Sequence, residues 1–217
     1  MKTIVCYGDS NTWGFKPEKD KPEIPLARYD YNIRWTGVLQ GLLGNEYLVI
    51  EEGLNGRTTA FDDPLDMYRN GSKHIDYAML TNMPVDIVII MLGTNDVKDH
   101  FGVSAYIIGA GLEQLILKIN NSDYGPNGEA PKILIISPAP LCENIKSAWP
   151  GEEFGVNALE KSNALADYYK RVADTHGCFF INAGDKINTD PLDAVHINAK
   201  AHNKLAHFIH ETLMKMI

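Results

Sequence analysis

Five short apolar runs punctuate the chain: Thr3–Tyr7, Tyr47–Ile50, Asp86–Leu92, Lys132–Ser137 and Cys178–Asn182. Most are rich in Val and Ile with little polar alternation, the pattern of strands covered on both faces of a parallel sheet. Between them, Trp35–Leu43, Ser72–Asn82, Ala105–Asn120 and Asn157–Thr175 carry apolar residues at helical spacing. A last helix is expected over Asn198–Met216, with Asn198 as its amino-terminal cap. Strands alternating with helices predict an α/β fold, a doubly wound sandwich around a five-stranded parallel sheet. No internal repeat, low-complexity tract or linker breaks the pattern, so residues 1–217 are expected to form one domain.

Three connections are longer than such a fold requires. Phe15–Ile33 carries three prolines and mixed charge, Glu52–Gly71 carries Gly53-Leu54-Asn55-Gly56-Arg57-Thr58-Thr59, and Pro138–Val156 contains Pro138, Pro140, Trp149 and Pro150. All three leave the carboxyl ends of expected strands, the edge where open α/β sheets keep their ligand crevices. Long loops there are more often functional than ornamental.

The candidate chemistry begins at that edge. Gly8-Asp9-Ser10-Asn11 follows the first run as a tight turn and places a serine hydroxyl at the strand's end. Ester or amide cleavage by serine needs a nucleophile, a base, a group to orient the base, and donors for the oxyanion. Ser10 is the candidate nucleophile, and its amide is a candidate oxyanion donor. Gly8 is expected to let the backbone turn sharply, and Asp9 to anchor the turn. Asp193-Ala194-Val195-His196, just before the last helix, supplies the candidate base His196, with Asp193 three residues earlier to hold its ring. His202, His207 and His210 share the last helix with lysines and are expected to be mostly solvated. His74, His100 and His176 lack a carboxylate at comparable spacing, although Asp99 adjoins His100.

Gly93-Thr94-Asn95-Asp96 follows the strongest run. The Asn95 carboxamide can donate to an oxyanion without changing charge, and Asp96 is expected to brace the loop. Gly56 can offer a backbone amide at close approach because it has no Cβ; Gly53 is its rival for that role. Trp13 is a candidate wall of a small acyl pocket, with Asn11, Thr12 and Trp149 as further substrate-binding candidates.

Composition narrows the partners. The 217 residues carry a net charge of −8, which argues against a nucleic-acid-binding surface with its clustered Lys and Arg. No apolar run approaches the ~18 residues of a membrane span. Only Met1-Lys2 precede the first run, so no signal peptide is expected. None of the three cysteines sits in a Cys-x-x-Cys spacing. They are expected to be free thiols in a reducing compartment, which places the protein in the cytoplasm. No ligand cluster at metal spacing is visible, and no metal or organic cofactor is expected.

Together, Gly8-Asp9-Ser10, the glycine of Gly53–Thr59, Gly93-Thr94-Asn95-Asp96 and Asp193-Ala194-Val195-His196 resemble the four blocks of the SGNH (GDSL-type) hydrolases, in the same order and across nearly the whole chain. The resemblance implies a flavodoxin-like three-layer α/β/α sandwich and a Ser10–His196–Asp193 triad. It also implies an oxyanion hole made by the Ser10 amide, the Gly56 amide and the Asn95 side chain. Tyr7–Gly14, Arg34-Trp35, Glu51–Leu54 and Met91–Asp96 are similar to the bacterial arylesterase and acyltransferase-type esterases. That similarity implies small short-acyl esters as substrates, hydrolysed or transesterified, and a homo-oligomer whose loops narrow the site. Asn11 replaces the Leu of the usual signature, which suits this subgroup and weakens any expectation of long-chain lipase activity. The nearest alternative is a carbohydrate O-acetylesterase with the same triad. A phosphate-cradling binding module lacks the Gly-x-Gly-x-x-Gly series and the P-loop lysine it would need. An inactive family member is disfavoured because every catalytic residue type is present.

Overall fold

The computed structural model describes residues 1–217. Its strands are β1 (Lys2–Gly8), β2 (Tyr47–Gly53), β3 (Ile87–Met91), β4 (Lys132–Ser137) and β5 (Phe179–Asn182). Its helices are α1 (Ser10–Trp13), α2 (Trp35–Leu43), α3 (Gly71–Asn82), α4 (Ala105–Asn120), α5 (Gly151–Phe154), α6 (Ala158–His176) and α7 (Ala199–Met216). The five strands are parallel in the order β2-β1-β3-β4-β5. The strand order therefore reverses beside β1, and the crevice of a doubly wound sheet opens at that switch point, between β1 and β3.

Side chains alternate across each strand, and the sheet is covered on both faces. Ile4 and Cys6 of β1 pack with Trp35 and Leu39 of α2 and with Leu205 and Ile209 of α7. Val5 and Tyr7 pack on the other face with Ile75 of α3, Ile108 and Leu112 of α4, and Leu165 and Tyr169 of α6. Both faces of β3 are fully or nearly fully buried, which is why its sequence shows no polar alternation. Caps fix where the helices begin. Asn70, Ser104 and Asn198 accept from the N–H groups of Lys73, Ile107 and Ala201, opening α3, α4 and α7.

Two differences from the sequence reading have simple causes. β2 runs three residues beyond its apolar stretch, through Glu51-Glu52-Gly53, because these pair in register with Cys6-Tyr7-Gly8. β2 lies at the sheet edge, and Glu51 there meets Arg34 in a two-pronged ion pair of 2.8 and 2.7 Å. The second difference is a correction: His202 is not solvated but fully buried. It lies on the same face of α7 as Leu205, Ile209 and Leu213, and its Nδ1 accepts the Trp35 N–H at 3.2 Å. Burial, helped by the charges of Arg34 and His196, pushes its pKa down to about 3. His207 is exposed and His210 half-buried. Cys6 is buried, Cys142 and Cys178 are half-buried, and all three are free thiols. No helix is long and apolar enough to cross a membrane.

Candidate active site

The site is assembled from the carboxyl ends of the strands. β1 ends at Gly8, Asp9 caps the single turn of α1 by accepting the Asn11 N–H at 2.9 Å, and Ser10 opens that turn. Gly8 serves this geometry differently from the expectation. Its φ is not left-handed; a Cβ there would lie 2.0 Å from Thr12 Oγ1, so the glycine lets α1 fold back against the strand. Burial pushes the Asp9 carboxyl up to about 6, against the lowering pull of the Asn11 N–H and of His196.

The turn before α7 brings the second half. Asp193 Oδ1 accepts the N–H groups of Val195 and His196 at 3.0 and 2.9 Å, and its Oδ2 lies 2.7 Å from His196 Nδ1. The turn needs Ala194 at φ +65°, a left-handed conformation that costs a non-glycine residue energy and is met most often at functional sites. Burial alone would raise the Asp193 carboxyl, but the hydrogen bonds and charge of His196 outweigh it and hold it below its usual range. His196 Nε2 lies 2.9 Å from Ser10 Oγ. Hydroxyl, imidazole and carboxylate thus form one hydrogen-bonded chain between segments 186 residues apart.

Asn11 and Thr12 depart from their expected place in the pocket. The Asn11 side chain accepts the Ile197 N–H at 3.0 Å and donates to the Val195 carbonyl at 3.4 Å, stapling the serine turn to the histidine turn. Thr12 is fully buried under Gly8. Neither lines the cavity, whereas Trp13 and Trp149 do. Asn95 Nδ2 donates to the Arg57 carbonyl at 3.1 Å, and Asp96 Oδ1 accepts from the Thr59 N–H and hydroxyl at 2.8 and 2.5 Å. Burial pushes the Asp96 carboxyl up to about 6 against those Thr59 bonds. Asp96 thereby braces the Glu52–Gly71 loop against the end of β3. Gly56 sits in that loop at φ +78°, in a turn closed by the Arg57 N–H donating to the Leu54 carbonyl at 3.0 Å. Gly53 instead ends β2, opposite Gly8.

A cavity of about 530 Å³ opens over Ser10, Asn95 and His196. All three long loops wall it, through Phe15 and Leu26, through Asn55 and Arg69, and through Trp149 and Phe154. Trp149 Nε1 donates to the Glu18 carbonyl at 3.1 Å and ties two of those loops together. Arg28 covers the Trp13 ring at 4.9 Å.

A model of the GDSL-like lipase/acylhydrolase family matches residues 6–204. The chain belongs to this family. It superposes on a carbohydrate acetylesterase from Sinorhizobium meliloti with a TM-score of 0.93 at 39% identity, and on an inhibitor-bound aryl esterase from M. smegmatis with 0.94 at 36%, each match covering all of both chains. An acetylxylan esterase from Xylanibacter ruminicola is 28% identical over 225 residues, which take in 95% of this chain but only 42% of that protein. This GDSL-like hydrolase is an enzyme of ester bonds, on the α/β fold of its family.

Sequence reasoning missed three residues of its site. The Phe15 ring stacks on His196, with centroids 4.1 Å apart and planes at 21°; nothing in the first loop's composition singles it out. Lys98 is buried at the cavity wall and pairs with Glu153; its only signal was a position three residues after Asn95. Arg57 is buried within the Glu52–Gly71 loop, where no local signal sets it apart from its neighbours.

Proposed function

We propose that the protein is a serine esterase of small, short-acyl carboxylic esters, working through an acyl-enzyme on Ser10. The observation that carries this reading is the unbroken chain from Asp193 through His196 to Ser10, at 2.7 and 2.9 Å, on the floor of an open cavity. His196 Nε2 takes the hydroxyl proton as Ser10 Oγ attacks the ester carbonyl, while Asp193 holds the ring and stabilises the imidazolium. The Ser10 amide, the Gly56 amide and the Asn95 Nδ2 donate to the oxyanion. His196 then protonates the leaving alcohol, and water or another alcohol releases the acyl group. Loss of one such donor costs about 10²–10³ in turnover, so Asn95→Ala is expected to lose activity on that scale.

Trp13 and Trp149 are assigned to the substrate pocket, which their place at the cavity supports. A second reading, carbohydrate O-acetyl esters, draws support from the Sinorhizobium and Xylanibacter relatives. It also draws support from the charged side chains Asp66, Arg69, Lys98 and Glu153 set among aromatic ones at the cavity wall. Parallel assays with an aryl acetate and an acetylated sugar separate the two, with Ser10→Ala as the control. The same proposal takes the chain as one domain and as a subunit of a homo-oligomer. Exposed Leu65, Met67 and Tyr68 beside the cavity residues Asp66 and Arg69 support the oligomer, and light scattering tests it. The three free thiols fit a cytoplasmic, reducing setting.

A further inference from the structure

We propose that Arg57 is the positioning residue of the oxyanion hole, a clamp that sets its three donors relative to one another. The inference rests on the reading of the hole given above. The Arg57 side chain is buried, and its Nη1 donates to the Gly8 carbonyl at 2.9 Å and to the Glu52 carbonyl. Its guanidinium lies over the Tyr7 ring, 4.1 Å from the centroid, and the Tyr7 hydroxyl donates to the Gly71 carbonyl at 2.8 Å. The side chain therefore joins the ends of β1 and β2 and stacks on the residue three before the nucleophile.

The backbone of the same residue reaches the other two donors. Its N–H closes the turn on Leu54 that presents Gly56 in its left-handed conformation, while the Leu54 N–H itself donates to Gly8. Its carbonyl accepts Asn95 Nδ2. A carbonyl only accepts, so the Asn95 amide must turn its NH₂ toward Arg57, and the second hydrogen on that nitrogen is left for the oxyanion. One residue thus meets the serine turn, the glycine turn and the carboxamide.

The choice of arginine follows from what it bonds. Buried arginines are usually paired with carboxylates, but Arg57 is held by two carbonyls and an aromatic face. These neutral partners fix its place, while the Glu52 and Asp9 carboxylates act on its charge from beyond ion-pair distance. Both carbonyl bonds leave from the one nitrogen Nη1, and it is the planar guanidinium that lets that nitrogen reach them while the group lies flat on the Tyr7 ring; a lysine offers a point charge on a flexible stem with no flat face to stack. Misplacing a reacting group by ~1 Å costs up to about 10²-fold, and that is the scale of loss the clamp prevents.

The test is steady-state kinetics and thermal melts of Arg57→Lys, Arg57→Met, Asn95→Ala and the two double variants, on one aryl acetate. The clamp predicts that both Arg57 variants melt cooperatively and lose about 10- to 100-fold in kcat, with KM within about threefold. Arg57→Lys should do no better than Arg57→Met, because the charge survives and the planar stack on Tyr7 does not. In the Asn95→Ala background the same substitutions should cost at least about fivefold less, since residues that act as a unit are not additive. Losses that multiply in full in the double variants would overturn the proposal, as would wild-type kcat in Arg57→Lys. Failure of both single variants to fold would make Arg57 a residue of the core alone and would also overturn it. Ser10→Ala, run beside them, separates the two readings: activity surviving there counts against the catalytic assignment itself, not against the clamp.

Discussion

The floor and the rim of the cleft are built at the same sheet edge by opposite means. On the floor, Asp9, Ser10, Asn95, Asp96, Asp193 and His196 are at most 8% exposed, and their polar atoms answer one another across the ends of β1 and β3 and the turn before α7. On the rim, Leu65, Met67 and Tyr68 are 80, 71 and 70% exposed, while Trp13 at the end of α1 and Trp149 in the third long loop are half-buried, bonded by Arg28 and to Glu18. The floor is fixed by strand geometry and buried hydrogen bonds, so its chemistry tolerates no displacement. The rim is more exposed, and on the proposed function it governs what enters. Substitutions on the floor should therefore change turnover, and substitutions on the rim should change selectivity.

The sharpest break in that comparison comes from Asp193→Asn. The carboxamide can keep the bonds to the Val195 and His196 N–H groups but cannot hold the imidazole in the same state. The loss expected in kcat is on the order of 10⁴, with a melt close to wild type; a tenfold loss would mean that His196 is oriented by something else. Next in size is a pH effect from deeper in the packed half. His202 is held neutral with a pKa of about 3, while the unfolded chain binds that proton near 6.5. The unfolded state thus binds more protons between those values, and this contribution to stability is lost as pH falls from about 6.5 toward 3, on the order of 3 kcal/mol by pH 4. Asp9 and Asp96, raised to about 6, act in the opposite sense, favouring the fold as pH falls through about 6 to 4. Denaturant melts of His202→Asn and wild type, compared by difference between pH 7 and 4, isolate the histidine. The variant should gain on wild type as pH falls, and parallel curves would place the proton elsewhere. The smallest effect belongs to the rim. Trp13→Ala should admit longer acyl chains, shifting kcat/KM between a butyrate and an acetate ester by about tenfold, the scale of one or two methylenes in an apolar pocket. An unchanged chain-length profile would remove Trp13 from the acyl wall.

The sheet was legible because its strands are continuous apolar runs bounded by turns, and Lys132–Ser137, Trp35–Leu43 and Ala105–Asn120 coincide with the elements seen. The floor was legible for a related reason: each of its groups lies within a few residues of a strand end or helix start, where short polar motifs stand out. What remained hidden depends on distance in sequence. The stack of Phe15 on His196, the staple from Asn11 to Val195 and Ile197, and the burial of Arg57 against Tyr7 all join segments that no local pattern relates. His202 is a different kind of miss. Its spacing to Leu205, Ile209 and Leu213 marked the buried face of α7, but the lysines around it drew the reading toward solvent.

The central claim is that Ser10 is made nucleophilic by His196 at 2.9 Å. Time-resolved labelling with a fluorophosphonate, mapped by peptide mass spectrometry, tests it most directly. Stoichiometric modification of Ser10 is expected in the wild type, none in Ser10→Ala, and slowing by at least about 10³-fold in His196→Ala. Labelling of His196→Ala at the wild-type rate, or of a different residue in the wild type, would contradict it.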